Sequence, residues 1–241
     1  LALATVACLL YLLHVINKQK QLAEIKNDLI SNITHEFKTP IATVSTALEA
    51  IQNFNVKNDA EKTKKYLDIS NQQLKKLHQM VEKLLETATL DSDKLFINKE
   101  ETDLVLLIKT LVEKYKVIAA EKTINFKHTD AEIIKKVDAF HFENAIANLL
   151  DNAIKYGGNT IEVQLSQVLE QVEITIADNG PGIEKSQREK IFDKFYRIPT
   201  GNVHNVKGFG IGLYYVKKII EKHGSTITLT DAKNTVFKIT I

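Results

Sequence analysis

His35-Glu36-Phe37-Lys38-Thr39 sets an imidazole, a carboxylate, a cation and a hydroxyl side by side. A neutral imidazole is a nucleophile near neutral pH, and a carboxylate on one ring nitrogen raises the basicity of the other. A zinc-protease reading needs a second histidine where Thr39 stands, so it fails on its own motif. Three later clusters have the chemistry to hold a phosphorylated ligand. Asn148, Asn152 and Lys155 recur at i, i+4 and i+7 and share a helix face, with Tyr156 next in the chain. Two amides and a cation there can hold a metal and phosphates; a plain solvated face is the alternative. Asp178-Asn179-Gly180-Pro181-Gly182-Ile183 follows an apolar alternating segment and, taken alone, reads first as a tight turn. Lys207-Gly208-Phe209-Gly210-Ile211-Gly212-Leu213 opens a helix, and its alternate glycines let backbone N–H groups approach an anion. It is not the dinucleotide fingerprint, whose third glycine would fall at Leu213, and no Walker A sequence occurs. Between the last two clusters lie Lys185, Arg188, Lys190, Phe192, Lys194, Phe195, Tyr196 and Arg197. That basic, aromatic segment fits a mobile lid over phosphates, with a nucleic-acid patch as the alternative.

The elements that position these groups follow from composition. The 241 residues are 44% hydrophobic and 26% charged, enough apolar material for a core. Net charge is 32 − 30 = +2, which argues against a dedicated nucleic-acid partner. Cys8 is the single cysteine, so an intrachain disulfide and a cysteine zinc site are excluded. All nine glycines lie after residue 156, and Pro40 is the one proline before it. A glycine-free, proline-poor stretch favours helices, and the glycine clusters favour turns. Two architectures in sequence are expected.

Residues 1–16, LALATVACLLYLLHVI, carry no Asp, Glu, Lys or Arg, and Lys18 and Lys20 follow at once. Lysines just after an apolar run mark the cytoplasmic side of a membrane span. A span needs about 20 apolar residues. Because this run starts at the first residue, it reads as the C-terminal part of a transmembrane helix in a fragment with something upstream. A signal peptide would carry its charges before the run, and a buried core helix would not be apolar all round. From Leu22, a stripe of Leu22, Ile25, Leu29, Ile30, Ile33, Phe37, Ile41, Val44, Leu48 and Ile51 predicts an amphipathic helix. His35 projects about 170° from the stripe centre, toward solvent, with Thr39 one turn away. Pro40 should kink this helix. A second helix over 62–90 turns Tyr66, Ile69, Leu77, Met80, Leu84 and Ala88 inward, and the polar NFNVKND between the two reads as a loop. Each apolar face is wider than one partner covers. The expectation is an all-α helical hairpin that dimerises into a four-helix bundle.

After a linker over 91–102, helices are predicted at 103–121, 138–156 and 212–223, and strands at 160–166, 172–177, 226–230 and 235–241. The intermixed pattern and the 160–177 hairpin predict an α+β two-layer sandwich, with helices on one face of a mixed sheet.

With these residues in view, the chain resembles a membrane-bound sensor histidine kinase of two-component signalling over about residues 17–241. SNITHEFKTPIA (31–42) resembles the phosphoacceptor box and NLLDNAIKYG (148–157) the N box. DNGPGI (178–183) and GFGIGL (208–213) resemble the two glycine boxes, and IFDKFYR (191–197) the F box. Each motif alone is weak or moderate; all five in order are highly specific. The wording VKGFGIGLYYV (206–216) is similar to kinases of the Bacteroidetes type.

The resemblance implies a dimerisation and phosphotransfer domain over 17–90 and a Bergerat-type ATP-binding domain over 103–241. It implies that His35 is phosphorylated, that Glu36 is the base that orients and activates it, and that Thr39 serves dephosphorylation of the partner regulator. It makes Asn152 the magnesium-holding amide and sets Asn148 near the phosphates. Lys155 is similar to a phosphate-contacting lysine and Tyr156 to the aromatic residue on adenine. Asp178 matches the carboxylate that accepts from the adenine amino group. Gly180, Gly182 and Ile183 shape that pocket. Arg197, Lys207, Gly208, Phe209, Gly210, Ile211, Gly212 and Leu213 border lid and phosphates. Phe37, Lys38 and Phe209 depart from the commoner Leu, Arg and small residue, and none removes a reacting group. The implied cofactors are ATP and Mg²⁺. The implied partners are a response regulator receiver domain, a second copy of the chain, and the inner (cytoplasmic) membrane through the N-terminal helix, with the kinase domains in the cytoplasm and no nucleic acid. Two other classes stay open. A stand-alone ATPase of the same superfamily would usually carry Glu at the position of Asn148 and would not need His35. A structural membrane-tethered dimer would leave the nucleotide clusters unexplained.

Overall fold

The computed structural model describes residues 2–53, 59–90, 95–198, 209–230 and 234–241, with the side chains of 21, 22, 25, 28 and 86–88 set aside. The chain divides into two compact units, one formed by Leu1–Glu86 with Lys207–Phe209 and the other by Thr87–Val206 with Gly210–Ile241.

The first unit is helical. Helix α1 (Ala2–Asn53) is one element of 52 residues that continues through Pro40, and α2 (Ala60–Leu90) follows. Pro40 and Ala47 of α1 and Ser70 of α2 are buried. The Ser70 hydroxyl is spent on the carbonyl of Tyr66 at 2.9 Å, which makes its burial tolerable. Ile33, Phe37, Val44 and Ile51 of α1 are half-buried, as are Tyr66, Ile69, Leu77, Met80 and Leu84 of α2. The stripe predicted on α1 therefore divides. Ile30, Ile41 and Leu48, expected in the core, are 54%, 51% and 43% exposed. Helix α2 carries a second apolar row, Leu67, Leu74, Val81 and Leu85, that is also exposed. One hairpin can cover only one face of each helix. The side chains of Leu22, Ile25 and Ala88 and most of the NFNVKND loop lie outside what is described.

The second unit is the α+β sandwich. Its helices are α3 (Leu104–Ile118), α4 (Ala139–Tyr156) and α5 (Gly212–Lys222), within the predicted ranges. Strands β4 (Thr160–Val168), β5 (Gln171–Asp178), β6 (Thr226–Leu229) and β7 (Thr235–Thr240) stand where alternation put them. Three strands come in addition. β1 (Glu100–Asp103), which begins inside the expected linker, pairs antiparallel with β3 (Ile134–Val137). β2 (Thr123–His128) lies parallel to β4. The main sheet runs β2-β4-β5-β7-β6.

Period-two alternation turns Ile161, Val163 and Leu165 of β4, Val172, Ile174 and Ile176 of β5, and Phe237 and Ile239 of β7 into one core with the helices. The opposite face is polar and carries cross-strand pairs such as Lys127–Glu162 at 3.6 Å. Two aspartates start helices: Asp103 accepts from Val105 N and Asp138 from His141 N, at 2.9 and 3.0 Å. Asp138 also accepts from Asn98 N at 2.9 Å, which fixes the incoming segment to the start of α4.

Candidate functional site: an exposed histidine and a nucleotide pocket

Within the helical unit, His35 is exposed on α1. It lines an open groove of about 570 Å³ with Lys38, Thr39, Thr43 and Thr46 of α1 and Tyr66 and Ile69 of α2. His35 and Thr39 share the groove because they are one turn apart. The Thr39 hydroxyl lies 3.4 Å from the His35 carbonyl, while Thr43 donates to the Thr39 carbonyl at 3.0 Å. Glu36 does not line the groove; as the adjacent residue it points about 100° round the helix. Lys38, which sequence reasoning treated only as a variant of the motif, does line it.

In the second unit, period two carries one more residue onto the inward face of β5. Val172, Ile174 and Ile176 are followed by Asp178, a carboxylate on an apolar face at the strand's end, 6% exposed. Its register partner on β7 is Thr235, on β4 Ile161. Burial pushes the Asp178 carboxyl above its ordinary range, against the pull of the Gly180 N–H, the Thr235 hydroxyl and the Lys122 ammonium. The Gly180 N–H donates to Oδ1 at 2.8 Å. The end of α4 closes on this turn. A Cβ on Gly157 would fall 2.6 Å from the Asp178 Cγ, and one on Gly180 would fall 2.8 Å from the Gly157 Cα. Only hydrogen fits at either position, so Gly157 builds the pocket as directly as Gly180 does; the signal for it was its place closing the N box.

On α4, Asn148 and Asn152 are half-buried, and Lys155 and Tyr156 are exposed. The Asn148 amide donates to the Asn144 carbonyl at 2.8 Å, and its Oδ1 is 3.0 Å from where a Gly212 Cβ would stand. The structure thus brings the N box and the second glycine box together at the start of α5. That helix has no side-chain cap at Ile211. Gly210 takes φ +68°, and its carbonyl accepts from Phe195 N at 2.9 Å, which joins the F box to the same turn. Ile183 and Leu213 are half-buried beside the core. Gly182 takes φ +76° in the turn after Asp178.

The segment expected as a lid is anchored in its described part. Ile191 and Phe192 are buried, Phe192 packs edge-on against Phe237, and Arg188 Nε donates to the Ile183 carbonyl at 2.9 Å. Arg197 is half-buried. Residues 199–208, including Lys207 and Gly208, lie outside the described residues. Sequence reasoning missed Gly157, Thr235 and Lys122; the first adjoins a motif, whereas the other two meet Asp178 only through the fold.

Residues 25–93 match the His Kinase A (phospho-acceptor) domain, and residues 137–241 match the histidine kinase-, DNA gyrase B-, and HSP90-like ATPase. A phosphoacceptor domain followed by an ATPase domain defines the class. The chain belongs to the sensor histidine kinases. The sensor protein RprX of Bacteroides fragilis is 37% identical over 240 residues, 96% of this chain and 46% of RprX. That agrees with the Bacteroidetes wording of the second glycine box. The chain spans about half the length, or less, of the curated relatives it matches. Two solved structures share the fold. The histidine kinase AdeS of Acinetobacter baumannii has a TM-score of 0.62 at 24% identity, covering 86% of this chain and 96% of that one. ThkA, solved in complex with the response regulator protein TrrA, has a TM-score of 0.61 at 23% identity, covering 93% and 64%.

Proposed function

We propose that this chain is the kinase core of a membrane-anchored sensor, which phosphorylates itself on His35 with ATP and passes the phosphoryl group to an aspartate of a response regulator. The single observation that carries the reading is the pairing of an exposed, groove-lining His35 on one unit with a buried, glycine-flanked Asp178 on the other. An unprotonated ring nitrogen of His35 attacks the γ-phosphorus, the bond to the ADP oxygen breaks, and the product is a phosphoramidate. Transfer of this kind asks the protein mainly for positioning and charge neutralisation. Asp178 accepts from the adenine amino group, Tyr156 packs on the ring, and Lys155 contacts phosphate. Asn148, the N–H groups at the start of α5, and Arg197 and Lys207 gather around the phosphates. Glu36 flanks His35 as the base of the transfer.

Magnesium fits the donor set. Asn152 offers a hard amide oxygen on the α4 face shared with Asn148, and among the described residues no cluster of three His, Cys, Asp or Glu competes for a metal. That suits an ion held mainly by phosphate and water. When bound it neutralises phosphate charge; Asn152 is the residue that holds it.

Thr39, beside His35 in the groove, orients water toward the regulator's aspartyl phosphate. The groove that holds His35 is the docking face for the receiver domain; ThkA, which shares the fold, is itself solved in complex with a response regulator protein. The exposed rows Ile30, Ile41, Leu48 and Leu67, Leu74, Val81, Leu85 support a homodimeric four-helix bundle. Ala2–Lys20, 19 residues of mean hydropathy 1.3 with none buried, supports a membrane anchor, with the kinase units in the cytoplasm.

The test is incubation with ATP labelled in the γ position. Acid-labile, base-stable phosphate is expected on the wild-type chain and none on His35→Gln, which should bind ATP as before. Labelled His35→Gln protein would end the assignment.

A further inference from the structure

Lys122 belongs to none of the sequence motifs and lies outside both matched domains. It sits in the turn between α3 and β2, held by its own N–H to the Ala119 carbonyl and by Thr123 N to the Asn159 carbonyl, at 2.9 and 2.8 Å. Its half-buried ammonium donates to the carbonyls of Ile154 and Gly157, the latter at 3.2 Å. These belong to the last turn of α4, where backbone acceptors lack helical partners and the helix dipole is negative. The same Gly157 touches Asp178 and Gly180 closely enough to exclude a Cβ. One cation therefore meets both walls of the adenine pocket, the α4 terminus by hydrogen bonds and the β5 terminus by charge.

We propose that Lys122 is a positioning residue for nucleotide binding, clamping the end of α4 onto the Asp178 turn. The proposal rests on the reading of Asp178 as the adenine acceptor. Among the described residues, Lys122 is the charged group acting on Asp178, and it opposes the effect of burial there. A protonated Asp178 accepts more weakly from the adenine amino group than a carboxylate does, and its hydroxyl adds a competing donor. Without Lys122 the carboxyl would protonate at higher pH, and the acid limb of ATP binding would move upward with it.

The experiment measures magnesium-dependent ATP binding to the full chain from roughly pH 4, the ordinary carboxylate value, to roughly pH 8. Wild type, Lys122→Arg, Lys122→Gln, Lys122→Met and Asp178→Asn are compared. Lys122→Met should weaken ATP binding by roughly tenfold at neutral pH, move the acid limb upward, and raise KM for ATP in autophosphorylation more than it lowers kcat. Lys122→Arg should restore affinity and limb. Lys122→Gln keeps a donor without the charge, so it should fold with a near wild-type Tm and still show the displaced limb; if Lys122→Met fails to fold, this variant decides. An unmoved limb in Lys122→Gln, or a loss in Lys122→Met that is equal at every pH and not rescued by Arg, overturns the proposal. If Asp178→Asn weakens ATP binding while the Lys122 variants bind normally, the Lys122 inference fails alone. If Asp178→Asn binds ATP as wild type does, the adenine reading fails and takes this inference with it.

Discussion

At the scale of single residues, Asp178 shows function placed against stability. Its carboxyl is raised above the ordinary value by burial. A carboxyl with a raised folded pKa favours the fold below the unfolded value, about 3.8, and loses that contribution as pH rises through the folded pKa. At neutral pH the ionised group is therefore a cost to the empty protein. Asp178→Asn keeps an oxygen for the Gly180 N–H and removes the charge. Its Tm without nucleotide should rise by a few degrees at neutral pH, and the gain should shrink toward pH 4. Thermal unfolding at the two pH values checks this; equal Tm throughout would contradict it. Thr39→Ala acts on a different step. It should leave autophosphorylation intact while slowing loss of phosphate from the regulator by roughly tenfold to a hundredfold, the scale of a positioning hydrogen bond. Mixing the variant with phosphorylated regulator gives the rate directly. Equal release by both proteins would remove Thr39 from the chemistry.

At the scale of elements, Asp138 does two jobs from one position. It caps α4 through His141 N and holds the preceding segment through Asn98 N. These bonds hold its carboxyl below the ordinary range despite burial. A depressed carboxyl stabilises the fold above its unfolded pKa, and that share is lost as pH falls through the folded value. Asp138→Ala should cost about 2 kcal/mol near neutral pH, a cap plus a second buried bond, and less in acid. Denaturant titration at both pH values is the measurement. The exposed row on α2 gives a second expectation. Leu74→Glu should convert a dimer into a monomer without reducing the helix content of the hairpin, because Leu74 is 53% exposed within one chain. Light scattering and circular dichroism would report the two. Much of this scale could be read from residue order. The i, i+4, i+7 face of α4 and the alternation of β4, β5 and β7 are periodic signals, and they gave the right elements. β1 (EETD) and β3 (IKKV) are too short and too charged to show alternation, so they escaped. β2 escaped because its pairing is parallel and distant. The α1 stripe was legible as apolar but not as divided, since periodicity does not say how much of a face one partner covers.

For the whole molecule, the division of labour follows the glycine distribution. A glycine-free hairpin presents His35 on a regular helix face, and the glycine-bearing unit closes tight turns around Asp178. What residue order hides is contact across distance. Lys122 and Thr235 converge on Asp178 from opposite sides in the chain, and neither stands in a motif. The N-terminal helix makes its own prediction. Removing residues 1–20 should release the protein from membranes into the soluble fraction and leave ATP binding unchanged, because none of the apolar window Ala2–Lys20 is buried in the fold. Fractionation of cells expressing both versions tests it, and a truncated protein that stays with membranes would contradict the anchor.

The position of Asp178 at the end of an inward-facing row has a consequence for how the protein is made. A slip of β5 by one residue against β4 would send Val172, Ile174, Ile176 and Asp178 together to the opposite face. Such a chain would lose the carboxylate proposed to accept from adenine at the moment it lost its core. A nucleotide held through that carboxylate would therefore add its binding free energy to this strand alignment and to no other.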